Sequence, residues 1–356
     1  MPVWALATPL VSFLILVAAF ALSSVGAAMA LLCGVALIAT VMAAVHHAET
    51  VAHKVGEPFG TLVLAIAITV IEVALIVSMM LAGGEGVAAL ARDTVYSAVM
   101  IIVTGVIGIC LLVGGLHHKE QSFRVEGANA GLGALIALAT LSLILPTFTE
   151  SAPNGAYTRP QLIFAGVASL VLWAVFVFVQ TVRHRDYFLP RVDAANEDQH
   201  AEPPTAKRAW ASFGLLLVAL VTVVGLAKAL SPTIENAVVG AGAPRAVIGI
   251  AIALLVLLPE TWAAIRAARA DRLQTSLNLA IGSALASIGL TIPVVGAVSA
   301  FLGMRLVLGV EGKDLVLLLL SFMVATVTLA HGRTNVMQGA VHLVIFAAFL
   351  FLSLVP

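Results

Sequence analysis

The chain has 356 residues, 61% of them hydrophobic and 10% charged, with a mean hydropathy of +1.11 and no net charge. A soluble globular domain carries roughly 25% charged residues, and a nucleic-acid-binding domain shows a basic excess, so both classes are excluded and no nucleic-acid partner is expected. Cys33 and Cys110 both stand in apolar runs without metal-ligand or redox spacing, and act as small core hydrophobes.

Apolar runs of about 20 residues recur along the whole length without the period-two alternation of a β-barrel, which predicts an all-α polytopic membrane protein. Eleven transmembrane helices are expected, at about 8–24, 26–45, 58–82, 95–116, 128–148, 160–182, 210–230, 244–265, 276–302, 315–331 and 335–355. The first lacks the basic start of a cleaved signal peptide and is taken as an extra N-terminal helix within residues 1–25. Residues 183–209 mix both charge signs with proline and form a linker, separating 26–182 from 210–356. No phosphate-binding GxxxxGK[ST] loop occurs, so an ATP-driven machine has no place for its nucleotide.

Twelve Lys and Arg residues fall in one set of alternate loops and five in the other. The positive-inside rule then places the N-terminus and the linker in the cytoplasm and the C-terminus outside, in what is expected to be a bacterial inner membrane. Five spans precede the linker after the first helix, and five follow it. Because five is odd, equivalent spans run in opposite directions, the inverted 5+5 repeat of many secondary transporters. Short matches support it. AIAITVIE ends at Glu72 and ALLVLLPE at Glu260, each on the second helix of its half. Ile107-Gly108-Ile109 with Gly115 is echoed by Ile288-Gly289-Leu290 with Gly296.

Glu72 lies about 14 residues beyond Pro58, roughly 20 Å along a helix at about 1.5 Å per residue, hence deep in hydrocarbon. An acid there costs on the order of 2.5–3.5 kcal/mol, so it must be protonated, paired or bound to a cation. Pro259 removes an N–H donor just before Glu260 and is expected to open the helix there, freeing carbonyls for an ion. Two such carboxylates meeting at the midplane make a hard-oxygen metal site for Na⁺, K⁺ or Ca²⁺; without the metal they take up protons. Thr69, one turn before Glu72, and Ser97, Asn278 and Ser283 are candidates to complete the ion- and proton-binding shell, against the alternative that they only let helices approach closely. His46, His47 and His53 before the third helix, and His117 and His118 after the fourth, are expected on the cytoplasmic side, either as pH sensors or as solvated interfacial residues.

Other chemistries fit less well. A proton-coupled exporter of a small organic cation needs aromatic anchors near the midplane, and only 6% of residues are aromatic. An intramembrane enzyme would use Ser283 with His331 or His342, but no base is identified beside the serine. A channel would conduct without proton counterflow.

The segments 46–76, 92–108, 114–123, 257–296 and 332–343 resemble the calcium/cation antiporter superfamily, in its cation/proton exchanger branch, and most closely the bacterial ChaA-type antiporters. The resemblance covers about residue 41 to the C-terminus. It implies ten core helices in inverted halves, with alpha-repeats around 56–115 and 250–296 whose acidic residues, Glu72 and Glu260, bind the exchanged ion. The chain is then expected to be a secondary transporter, not an enzyme, exporting Ca²⁺, or Na⁺/K⁺, against H⁺ by alternating access. Its partners are those ions and the bilayer, with no resident cofactor, and nothing indicates an oligomer. The classical branch carries GNxxE ahead of each glutamate; here those Gly-Asn positions are Ile68-Thr69 and Val256-Leu257. Fewer neutral oxygens suit the high coordination number of Ca²⁺ less well.

Overall fold

A computed structural model describes residues 1–22, 26–56, 59–83, 86–189, 204–310 and 312–355. Pro58, the middle of the 83–86 turn and residues 190–203 of the linker lie outside the described residues. The helices are α1 Val3–Ala21, α2 Ala27–Val55, α3 Phe59–Ala82, α4 Val87–His118, α5 Val125–Phe148, α6 Arg159–Arg183, α7 Ala206–Gly240, α8 Ala246–Arg269, α9 Leu273–Leu302, α10 Gly312–Leu329 and α11 Val336–Leu354. Among the described residues, all but α3 contain a span long and apolar enough to cross a membrane, and α3 supplies the shorter apolar stretch Ala65–Leu81. Two short strands, β1 Glu120–Ser122 and β2 Arg333–Asn335, join α4 to α5 and α10 to α11.

Three expected boundaries are corrected: α4 begins at Val87 rather than about 95, α7 ends at Gly240 rather than about 230, and α2 overruns its expected end. α2 continues ten residues past the expected end at 45, so His46, His47 and His53 are helical rather than in a loop. HHAETVAHKV contains charge but no helix breaker until Gly56, whose positive φ of 78° ends the helix with its N–H on Ala52 O. A polar run at a membrane surface does not stop a helix; a missing Cβ does.

Two compact units are present, residues 1–90 with 202–256, and 91–201 with 257–356. In the first, α2 packs along α7, its equivalent in the second half; α3 lies against both, and α1 covers the same pair. Gly225 of α7 lets Leu16 of α1 approach: a Cβ there would stand 2.5 Å from a Leu16 methyl.

The second unit displays the inverted repeat. α11 packs along α4, and α6, its first-half equivalent, packs along α9. The repeated glycines are the contact points. A Cβ on Gly108 would meet His342 and Leu343 of α11 at 3.0–3.1 Å, and one on Gly289 would meet Trp173 of α6 at 2.6 Å. Likewise Gly115 faces the start of α11 at Val336, and Gly296 faces Leu162 near the start of α6. Membrane helices associate through such small-residue contacts because lipid gives them no hydrophobic drive.

The loops repeat as well. β1 pairs antiparallel with β2, and the isolated bridge Ala156↔Val307 joins the other two connections in the same way. Gly332 O accepts from Phe123 N at 3.0 Å, and Gly155 O accepts from Leu308 N at 3.0 Å; both glycines have a φ near 70°. Three residues on, Thr158 and Asn335 each begin a helix with a capping box, closed by Gln161 and Gln338. The two halves therefore share turn chemistry that leaves almost no identity in the sequence.

π-helical turns interrupt α4 at Ile101–Val106 and α5 at Thr140–Ile144. Such turns displace carbonyls from the ladder, which lipid cannot solvate. Side chains and backbone meet them here. His342 Nδ1 lies 2.8 Å from Val103 O, Tyr157 OH donates to Leu141 O at 2.6 Å, and Val310 N donates to Leu143 O at 2.8 Å. His342 is thus fixed with Nδ1 as donor, its Nε2 accepting from Thr328 OH at 3.1 Å. Burial pushes the Tyr157 phenol up to about 12, so this donor stays protonated.

Gly339 of α11 tests the packing argument, because a Cβ there would fall 2.5 Å from the backbone N of Leu112. Gly339→Ala is expected to cost about 1–3 kcal/mol, lowering the thermal midpoint in detergent by a few degrees. Gly133→Ala, whose Cβ meets nothing within 4 Å, is expected to leave it unchanged. Equal midpoints for the two variants would contradict the close-approach account.

Candidate functional site

Glu72 is held on α3 in the first unit at 4% exposure, flanked by the buried Ile68, Ile71, Leu75 and Ile76. Thr69, on the same face, is equally buried, and its hydroxyl donates back to Ala65 O at 2.9 Å. A back-bonded threonine keeps its oxygen lone pairs for another partner, so its donor is satisfied while its acceptor capacity remains.

Glu260 belongs to the second unit, on α8. α8 runs unbroken through Pro259, which corrects the expectation of an opened helix. The proline removes only the donor that would meet Leu255 O, and the flanking turns keep their own bonds. Glu260 is partly buried, and Ser283 of α9 donates its hydroxyl to Glu260 Oε2. This pairing brings two of the candidate residues together, a carboxylate and a neutral oxygen on adjacent helices.

The other candidates are placed elsewhere. Asn278 Nδ2 donates to Phe188 O at 2.6 Å, and its Oδ1 accepts from Gln274 Nε2 at 2.9 Å. Gln274 Oε1 in turn accepts from Arg124 N at 2.6 Å. Asn278 therefore ties α9 to the start of the linker, which departs from a place beside Ser283 in an ion shell. Ser97 is 2% exposed on α4, one turn beyond Asp93. In the register set by Gly108 and Gly289, Asp93 and Ser97 correspond to Gln274 and Asn278.

The histidines divide. His47 is fully buried, with Nε2 2.8 Å from Ala5 O and Nδ1 3.3 Å from Ser212 Oγ, a tie between α1, α2 and α7. A solvated interfacial role fails for it because both nitrogens are used inside the bundle. His46 is partly buried against Trp4, with ring centroids 5.2 Å apart. His117 and His118 are exposed, bonded to Val113 O and Arg269 O at 2.9 Å each.

Sequence reasoning did not find a charged cluster at the start of α4 and α10. Arg92 Nε meets Asp93 Oδ1 at 2.8 Å, Lys313 Nζ meets Asp314 Oδ1 at 3.1 Å, and Arg92 also reaches Gly309 O at 3.3 Å. Buried Tyr96 sits beside Asp314 on the same face of α4 as Asp93. Its signal was available: four charged residues within the first turns of two apolar helices. Two cations balance two acids, so the cluster is a structural knot rather than a vacant cation site. Among the described residues no group of three His, Cys, Asp or Glu is arranged to hold a metal ion.

Removing the Ser283 hydroxyl isolates its contribution. Ser283→Ala is expected to weaken cation affinity about tenfold, near 1.4 kcal/mol and at the low end for a hydrogen bond to a charged group, whereas Ser283→Thr retains it. Asn278→Ala should leave cation affinity within twofold. Equal affinities for Ser283→Ala and the unaltered chain, from isothermal titration in detergent, would remove Ser283 from the site.

The sodium/calcium exchanger protein family matches residues 10–182 and 211–355. The y4hA protein of Sinorhizobium fredii (strain NBRC 101917 / NGR234) is 51% identical over 320 residues, covering 90% of this chain and 87% of that protein. The sodium-potassium/proton antiporter ChaA of Escherichia coli (strain K12) is 32% identical over 322 residues, again covering 90% and 87%. The native structure of YfkE superposes with a TM-score of 0.75 at 18% identity, covering 99% of both chains. The fold is therefore that of the membrane exchangers, with eleven long helices among the described residues built on an inverted repeat. With most of its length matched on both sides of the linker, the chain belongs to the sodium/calcium exchanger protein family.

Proposed function

We propose that this chain is a secondary cation/proton antiporter of the bacterial inner membrane, a transporter and not an enzyme. It exports Ca²⁺, or Na⁺ and K⁺, in exchange for H⁺, with Glu72 and Glu260 each carrying the exchanged charge. The observation that carries the proposal recurs in both halves: one acid in an apolar run on the second helix of the repeat, buried at Glu72 and partly buried at Glu260. A desolvated carboxylate is stable when neutralised, and either a proton or a metal cation neutralises it. The two ligands therefore exclude each other at the same oxygens, and exchange needs no ATP.

Ser283 supports this by offering a neutral oxygen at Glu260, and Thr69 offers one beside Glu72. Neither half carries the amide ligand of a GNxxE motif. A shell of few neutral oxygens suits the high coordination number of Ca²⁺ less well, so Na⁺ and K⁺ stand beside Ca²⁺ as substrates to be tested. The names of relatives agree with both classes: ChaA is a sodium-potassium/proton antiporter, and YfkE, in its selenium-substituted crystal structure, is a Ca²⁺/H⁺ antiporter. The charge bias among loops supports an N-terminus in the cytoplasm and a C-terminus outside. No resident cofactor enters the cycle.

The test is fluorescence of an acid-sensitive dye in everted vesicles energised by respiration. Separate additions of Ca²⁺, Na⁺ and K⁺ should dissipate the proton gradient for each true substrate. Glu72→Gln and Glu260→Gln should each reduce that response at least tenfold while the protein remains in the membrane. Persistence of the response in both variants would refute the assignment.

A further inference from the structure

A cavity of about 310 Å³ opens where β1 and β2 meet, among the residues that connect α4 to α5 and α10 to α11. Arg124, His331 and Arg333 line it with a single acid, Glu126, while Phe123 and Val125 add apolar surface. None of these residues has a part in the proposed exchange.

Each side chain has donor capacity left. Arg124 uses Nε on Leu189 O at 3.2 Å, which leaves the two terminal nitrogens of its planar fork. Arg333 shares a loose pair with Glu120 at 3.8 Å, both well exposed. His331 has Nδ1 3.4 Å from Val327 O, so Nε2 is the ring atom available to a ligand. The first turn of α5 opens on the same cavity with no side-chain cap from Arg124, so its N–H groups add partial positive charge. Glu126 and the Glu120 beside Arg333 oppose an anion; against them stand two guanidinium groups, the free ring nitrogen of His331 and the N–H groups of a helix start, all of them donors.

Depth identifies the source of the anion. These residues sit at four helix ends, where a bilayer places its headgroups. Gly115 contacts Val336 at the same level, and the neighbours of that contact, Leu116 and Met337, are 67% and 69% exposed. A donor-rich pocket between β1 and β2, with exposed apolar side chains on the adjoining helix ends of α4 and α11, matches a phosphodiester with its acyl chains attached. We propose that this cavity binds the phosphate of an anionic phospholipid. Its connections give the site a structural consequence: the Arg124 backbone holds Gln274 of α9, and its side chain holds the first residues of the linker. A lipid here braces α9 and the linker together.

The full chain, purified in neutral detergent, is titrated by native mass spectrometry with phosphatidylglycerol, phosphatidylcholine and inorganic phosphate separately. Phosphatidylglycerol should bind at least tenfold more tightly than phosphatidylcholine. Arg124→Gln combined with Arg333→Gln should abolish that preference, and His331→Gln alone should reduce it severalfold. Arg305→Gln, in the α9–α10 connection, should leave it unchanged. If inorganic phosphate competes at comparable concentration, free phosphate is the ligand of the same pocket; if it does not, the lipid is. Equal binding of the two lipids, or an unchanged preference in both the double variant and His331→Gln, overturns the proposal.

Discussion

A carboxylate taken out of water cannot remain charged and alone, and that constraint organises this molecule. Glu72 at 4% exposure sits in a stretch built, apart from Thr69, of Ile, Val, Leu and Ala. Desolvation penalises its ionised form by several kcal/mol. At Glu260, Ser283 donates a hydrogen bond without donating a charge, so this contact orients the carboxylate and leaves its charge unchanged. In the cluster at Arg92, Asp93, Lys313 and Asp314 each acid is matched to its neighbouring base, which holds the starts of two helices.

The scaffold that supports these acids is symmetric where helices touch and asymmetric where chemistry is done. Gly108 and Gly289, Gly155 and Gly332, and the capping boxes at Thr158 and Asn335 do the same work in each half. They fix close approach, a left-handed turn and a helix start, requirements of backbone geometry that tolerate little variation. The side chains between them have diverged. Asp93 of α4 sits within the charged knot and Ser97 is buried one turn on, whereas the equivalent Gln274 and Asn278 of α9 hold Arg124 and the start of the linker. Duplication supplies the frame, and each half then adapts its polar residues to different partners.

Much of this was legible in the sequence, for identifiable reasons. An isolated charge in an apolar run stands out, which is why Glu72 and Glu260 draw attention as candidates, and hydrophobic runs of membrane length mark the helices. The paired IG motifs were seen, and their cause is now evident as contacts with α11 and α6. Other features were hidden. The continuation of α2 through His46 and His47 was missed because polarity was taken as the end of a helix, when only Gly56 ends it. The roles of Asn278, Gln274 and His342 depend on partners far away in sequence, Phe188, Arg124 and Val103, which no local pattern announces. Likewise the π turns in α4 and α5 have no signature of their own; they are set by tertiary partners for the carbonyls they release.

The central claim is that a proton and a metal cation occupy the same carboxylate oxygens in turn. The most direct measurement is proton release on cation binding by the purified, weakly buffered protein in detergent, followed with a pH indicator as Ca²⁺, Na⁺ or K⁺ is added. The account predicts release that saturates with the bound cation and disappears when both Glu72 and Glu260 are replaced by Gln. Saturable cation binding with no accompanying release of protons between pH 6 and 8, a window chosen to span roughly neutral working conditions, would contradict it.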